Sequence, residues 1–372
     1  MKTISTSEHY WLVLGVVSVT LVGLGFISSD RPIAHGFFST ATSAAESNIE
    51  ERVSLDMSLG VIADPTAERL YLMSPKGGID AIGLASGNLL WTSRAADKPL
   101  AVFEDRLAAQ AEAVGGSNSL PIVLLDTKSG RAVSNIAIPI AAGAMRPSIN
   151  DGMAAASSVQ ARVKSDGLLV WWTVTSHEVS GMPRPASVRK DSGAALINLQ
   201  TNSVTTLAPD QAEARLRSNT SPTISRLSGT EGLYFPPQPA GRFFVSVKLG
   251  AASAGQHAAM KRWSETGEPM PDIELGPGFV ASAISADDSL FLAIRRTPTG
   301  SGYLWSIYTI ASGDRVAELR LPDSSAQSFF VLNSILIYRS AALHGVDLKT
   351  GTEIWTRALR DTSYQGTYPP RL

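Results

Sequence analysis

The chain has no cysteine among its 372 residues. That excludes disulfides, thiolate metal sites, a cysteine nucleophile and a lipid anchor attached through sulfur. A surplus of charge is also missing, because 32 Lys and Arg stand against 33 Asp and Glu. Nothing global therefore points to nucleic acid as a partner. Charged residues make up only 17%, whereas the 44% apolar content is ordinary for a globular protein. Histidine is scarce: His9, His35, His177, His257 and His344 never fall at metal-ligand spacing such as H-x-x-x-H. His344 reads as a packed or edge residue of a strand. No G-x-S-x-G, Walker loop or complete G-x-G-x-x-G occurs, and "GSGYLW" at 300–305 fails at its last position. No nucleophile with an obvious base stands out, although a triad assembled from distant segments does not show in a linear reading.

One long apolar run is present. Tyr10–Ser28 carries no charge and, as a helix, comes close to the roughly 30 Å of a bilayer's hydrocarbon core. Tyr10 and Trp11 sit where interfacial aromatics anchor such a helix. The run is longer than a signal-peptide core, and the one tidy small-x-small site, "SAAE" at 43–46, lies far downstream. The expectation is a short cytoplasmic N-terminus over 1–9, an uncleaved transmembrane signal anchor over 10–28 and a flexible linker over 29–49. A single large domain over 50–372 would then lie on the periplasmic or extracellular side.

After residue 50 the chain reads as short strands bounded by Gly, Pro, Asn and Asp. Six turns share one chemistry: "LASGN" (84–88), "TKSGR" (127–131), "LQTNS" (199–203), "SETGE" (264–268), "IASGD" (310–314) and "LKTGT" (348–352). Each puts Gly or Asn where a hairpin needs positive φ. Around every turn four strand candidates can be counted, and the unit recurs about every 50 residues, the period of a propeller blade. The fold class is therefore all-β, a β-propeller of six four-stranded blades, with room in 140–240 for a seventh. The competing β-sandwich gives no reason for the same turn six times.

"LHGVDLKTGTEIW" and "IDAIGLASGNLLW" resemble the repeat of the pyrroloquinoline-quinone-type propellers, degenerate in the units between them. "SAISADDSLFLAI" (282–294) is similar to the S-x-D-x-x-L blades of a neighbouring propeller family. The resemblance implies fold, with Trp91 and Trp355 docking one blade on the next. It implies no chemistry, because the alcohol-oxidising members carry a vicinal Cys pair that this chain lacks. No carboxylate-and-amide set suited to Ca²⁺ beside the quinone can be found, and Asp287–Asp288 sits in a tight turn. The expectation is no cofactor, with the quinone and Ca²⁺ kept as the alternative of a quinone-dependent dehydrogenase or another propeller enzyme with an axial site. The propeller of the bacterial outer-membrane protein assembly machinery, a non-enzymatic scaffold, is the nearer functional analogue.

Labelling the strands of a unit a to d from the axis outwards, the a–b and c–d turns are all short. Length concentrates in the b–c and d–a connections on the opposite rim: 115–121, 141–160, 176–193, 209–222 and 249–259. Long loops on one rim of a rigid scaffold are where binding resides. The 176–193 segment is the richest in charge, with His177, Glu178, Arg184, Arg189 and Lys190. The functional expectation is a membrane-anchored scaffold that binds other membrane or periplasmic proteins through this rim, and no nucleic acid.

Overall fold

The computed structural model describes residues 54–57, 60–111, 118–140, 153–178, 188–216, 227, 229–250, 257–298, 300 and 302–360. The expected anchor over 10–28, the linker over 29–49 and Arg184 lie outside them. Among the described residues no helix is long and apolar enough to cross a membrane.

The described chain forms six antiparallel sheets, each built from strands consecutive in sequence. Sheet one is β1 (Leu55–Asp56), β2 (Val61–Asp64), β3 (Arg69–Met73), β4 (Ile79–Gly83) and β5 (Leu89–Ser93). Sheet two is β6 (Lys98–Phe103), β7 (Arg106–Gln110), β8 (Ser119–Asp126) and β9 (Ala132–Pro139). Sheet three is β10 (Met153–Lys164), β11 (Gly167–Glu178), β12 (Val188–Ile197) and β13 (Val204–Leu207). Sheet four is β14 (Gln238–Ala240), β15 (Phe243–Leu249), β16 (Ala258–Trp263) and β17 (Pro269–Gly276). Sheet five is β18 (Phe279–Ile284), β19 (Leu290–Arg296), β20 (Tyr303–Thr309) and β21 (Arg315–Leu321). Sheet six is β22 (Ser328–Leu332), β23 (Ile335–Arg339), β24 (Ala342–Asp347) and β25 (Glu353–Ala358). Among its described residues, the interval read as room for a seventh unit holds sheet three, the helix α1 (Pro209–Leu216) and the start of sheet four.

The second strand of a sheet is buried on both faces, as in β23, whereas outermost strands such as β21 alternate between exposed and buried. Such two-sided burial requires a neighbour on each side. Apolar clusters supply it by joining sheets one and two, two and three, four and five, five and six, and six back to one. Between sheets three and four, Leu227 of the connecting segment packs on Phe244 and Trp263. The arrangement is propeller-like.

All six shared turns lie between third and fourth strands. Their αL residues are Gly87, Gly130, Asn202, Gly267, Gly313 and Gly351, with φ between 57° and 86°. In three of them the residue that ends the third strand, or directly follows it, ties the turn from below: Asp126 Oδ1 accepts from the Lys128 and Ser129 amides, Asn198 Oδ1 from Gln200 and Thr201, and Asp347 Oδ1 from Lys349 and Thr350. Just past the turn, four sheets shift register: between Ala81 and Ile82, Leu124 and Leu125, Ile307 and Tyr308, and Gly345 and Val346. The fourth-strand residue skipped by each shift is Leu90, Val133, Val316 or Ile354. A bulge leaves that residue without a partner, and all four are exposed.

The two carboxylates carry a pH dependence. Hydrogen bonds from Ser129 hold the Asp126 carboxyl below its ordinary value, and those from Thr350 do the same for Asp347. A depressed folded pKa gives stability that is present above the unfolded value and is lost as pH falls through the folded one. Changing both residues to Asn, which already caps the turn at Asn198, should flatten the loss of stability in urea titrations from about pH 4 downwards. Equal acid profiles for the two proteins would rule the caps out as a source.

Candidate functional site

Strand direction sorts the residues between two rims. First strands run from the rim of the long connections to the rim of the tight turns, and each later strand reverses. The tight-turn rim is closed by its own backbone. Leu84, Thr127, Ile310 and Leu348, each just past a third strand, donate to the carbonyls of Glu68, Asp105, Ser289 and Ser334 in the neighbouring first turn.

The two predicted tryptophans lie near that rim at joints between sheets. Trp91 of sheet one donates Nε1–H to Thr127 O at 2.9 Å and lies against Gly130, both in sheet two. Trp355 of sheet six donates to Leu84 O at 2.9 Å and lies against Gly87 in sheet one. A Cβ on either turn glycine would meet the indole within 2.5 Å. Between sheets four and five the same place is taken by Arg262 and Ile273 over Gly313. Arg262 donates to Ile310 O at 2.7 Å, Ala311 O at 3.1 Å and Pro271 O at 3.0 Å.

The long-connection rim holds the candidate interaction face. Lys76, Arg94, Lys248, Arg296 and Arg320 are exposed there, and among the described residues they make no ion pair. Two acids on the same rim are already engaged. Asp97 meets Arg360 at 3.5 Å, and Asp323 accepts from Tyr338 Oη at 2.6 Å. Glu231 and Glu274 stay exposed. Towards the axis, Lys98 opens β6 and donates to Val159 O of sheet three at 2.8 Å. Arg339, only 3% exposed, ends β23. Burial pulls both cations below their ordinary pKa, and the nearby Asp56 carboxylate opposes this in each case. Asp56 comes from β1, an extra strand paired to the axial edge of sheet one that the sequence reading did not contain. Flanking it, Leu55 and Met57 are buried in the cluster shared by sheets one and six.

The charged segment 176–193 is less of a loop than the sequence suggested. His177 and Glu178 are the last residues of β11, while Arg189 and Lys190 belong to β12. Val188 stands opposite His177, Arg189 opposite Ser176 and Lys190 opposite Thr175. At about 3.3 Å per residue, the twelve-residue strands β10 and β11 run roughly 40 Å, about twice the length of strands in the other sheets. Similarly, 209–222 contains α1, whose Arg215 forms an ion pair with Asp166 in the first turn of sheet three. That connection therefore reaches back to the tight-turn rim.

Basic residues scattered over sheets one, four and five escaped the sequence reading because no two share a loop. Their common position at strand ends on one rim is the signal that would have grouped them.

No family profile matches this chain, and no curated protein matches it. Among solved structures, the computationally designed Ika8 protein is similar at 12% identity over 85% of this chain and 91% of its own, with a TM-score of 0.34. BamB from Moraxella catarrhalis is similar at 12% identity over 74% and 79%, with a TM-score of 0.29. The designed Ika4 protein reaches 17% identity over 34% and 73%, with a TM-score of 0.23. These scores are low, and the propeller-like fold rests on the strand order above.

Proposed function

We propose that this chain is a binding module, a six-bladed propeller of the quinoprotein-like type. It receives an acidic segment of a partner protein on its long-connection rim. The observation that carries this reading is the set of exposed basic side chains on that rim that make no ion pair among the described residues. Cations left unpaired on one face steer and orient an acidic partner, and the interaction weakens with salt. The N-terminal run Tyr10–Ser28 would hold the module to a membrane, with membrane or periplasmic proteins as its partners.

The test compares the full chain with its Arg296→Glu/Arg320→Glu variant in pull-downs from detergent-solubilised membranes. Both side chains are exposed, so stability should change by no more than about 0.5 kcal/mol per site. At roughly 1 kcal/mol for each reversed rim charge, partner binding should fall by about ten-fold or more. The residual binding of the wild-type chain should drop as salt is raised. Undiminished recovery by the variant would sink the assignment of the rim.

A further inference from the structure

Blade six contains a hydroxyl, an imidazole and a carboxylate in series. Ser340 Oγ lies 3.2 Å from His344 Nε2, and His344 Nδ1 lies 2.7 Å from Glu353 Oε2. Ser340 follows β23 in a hairpin fixed by its own amide, which donates to Ala342 O at 2.8 Å. His344 is the third residue of β24 and stands opposite Tyr338 on one side and Thr356 on the other. Its ring stacks on that of Tyr338, with centroids 4.6 Å apart and planes 11° from parallel. The stack sets the plane in which both ring nitrogens point.

The bulge described above completes the set. In unbroken register Val346 would face Ile354, and Glu353 would turn to the opposite face of the sheet. The shift between Gly345 and Val346 pairs Val346 with Glu353 instead, which brings the carboxylate to the His344 side. Thr356 Oγ1, 3.2 Å from Nδ1, flanks the same contact. Hydrogen bonds from Thr356 and then His344 hold the Glu353 carboxyl below its ordinary range, so it stays an anion facing Nδ1. Ser340 is half-buried next to the exposed Ala341, in a hairpin on the long-connection rim.

We propose that Ser340, His344 and Glu353 form a nucleophile, base and orienting acid that hydrolyse small acyl esters. Nucleophile–base and base–acid hydrogen bonds of this kind define such sites by geometry and not by sequence order. With Nδ1–H donated to Glu353, Nε2 is free to accept the Ser340 proton as Oγ attacks the ester carbonyl carbon. The tetrahedral adduct collapses with cleavage of the bond to the alcohol oxygen, and Nε2–H protonates the departing alkoxide. Water then attacks the acyl-serine with Nε2 as base. The carboxylic acid leaves and the Ser340 hydroxyl is restored, so one ester and one water give one acid and one alcohol.

The absence of cysteine allows a clean experiment on the full chain. A fluorophosphonate probe should label the wild type on the peptide that contains Ser340, with loss of fluoride. Ser340→Ala should abolish that label at unchanged melting temperature, and Glu353→Gln should slow it at least ten-fold. In parallel, Ser340→Cys supplies the chain's single thiol, and adding His344→Gln should slow its alkylation by iodoacetamide at least ten-fold. A folded wild type with no label on Ser340, or equal alkylation with and without His344, overturns the proposal.

Discussion

Trp355→Ala is expected to lower the unfolding free energy by about 3–5 kcal/mol, the usual cost of deleting a buried large aromatic. Trp355 is 7% exposed and belongs to the cluster shared by sheets six and one. The indole crosses the face of Gly345 in its own sheet, where a Cβ would come within 2.2 Å, and ends on Gly87 of the first. Its hydrogen bond to Leu84 joins residues 271 apart in sequence. Among the described residues no strand of the first sheet comes from the end of the chain, so side chains join these two sheets without a shared ladder. Arg357 Nε donating to Gly87 O at 2.7 Å, Arg360 Nε donating to Ser74 O at 3.0 Å and Asn333 donating to Glu68 at 2.8 Å are the polar part of it. A contact that closes so long a loop must offset several kcal/mol of chain entropy, and the Trp supplies the largest single apolar area available for that. Trp355→Phe, which keeps most of the area and loses the N–H, should cost only about 1–2 kcal/mol. Trp91→Ala should cost less than Trp355→Ala, because Trp91 is half-buried at a joint the chain itself connects. Urea denaturation monitored by circular dichroism measures all three. A Trp355→Ala midpoint within about 1 kcal/mol of wild type would mean that the joint is held by something else.

The turn chemistry was legible because it is local. A Gly or Asn in αL, preceded in three copies by Asp or Asn at the strand end, recurs in plain sequence order. Counting from it located every fourth strand and five of the six third strands, β16 (Ala258–Trp263) being the one not read. The joints were legible only where an indole fills them. In sheet four the tryptophan precedes the turn, and the structure buries Trp263 against Leu227 and Phe244. The neighbouring residue Arg262 reaches sheet five instead. Nothing in "MKRWSETG" marks which of two adjacent side chains faces which blade, because alternation needs a register and the register depends on the bulge. For the same reason the Ser340, His344 and Glu353 set was invisible: Glu353 shares a face with His344 only after the shift at Gly345. Strand β1 went unread because two residues carry no periodicity. Asp56 is thus a site residue that only the structure supplies, as are Lys98 and Arg339 beside it.

The second large effect is expected at Arg262. It is 4% exposed, and burial lowers its pKa while the Asp272 and Asp314 carboxylates act against that shift. A buried guanidinium in a sheet is costly unless its donors are used, and here Nη1 and Nη2 serve three carbonyl groups. Nε has no partner among the described residues, so the geometry is not fully satisfied. Arg262→Ala would open a cavity between sheets four and five and strip Ile310 O, Ala311 O and Pro271 O of their donor. Loss of the donor to the buried Ile310 O costs about 1–3 kcal/mol, the part-buried Ala311 and Pro271 carbonyls cost less, and with the cavity the expected total is roughly 3–4 kcal/mol. Arg262→Lys keeps the charge but cannot fork between Ile310 and Pro271, which should leave a loss of about 1–2 kcal/mol. Gly313→Ala probes the joint from the other side. Its added methyl would meet Ile273 at 2.5 Å and the Arg262 guanidinium at 2.9 Å, at a φ of 85° that disfavours any side chain. If Arg262 plays the part of the tryptophans, Arg262→Ala and Gly313→Ala should be strongly non-additive in a double-mutant cycle, because both break one contact. Additive losses would show that the guanidinium and the turn are independent, and that the apolar cluster of sheets four and five holds this joint.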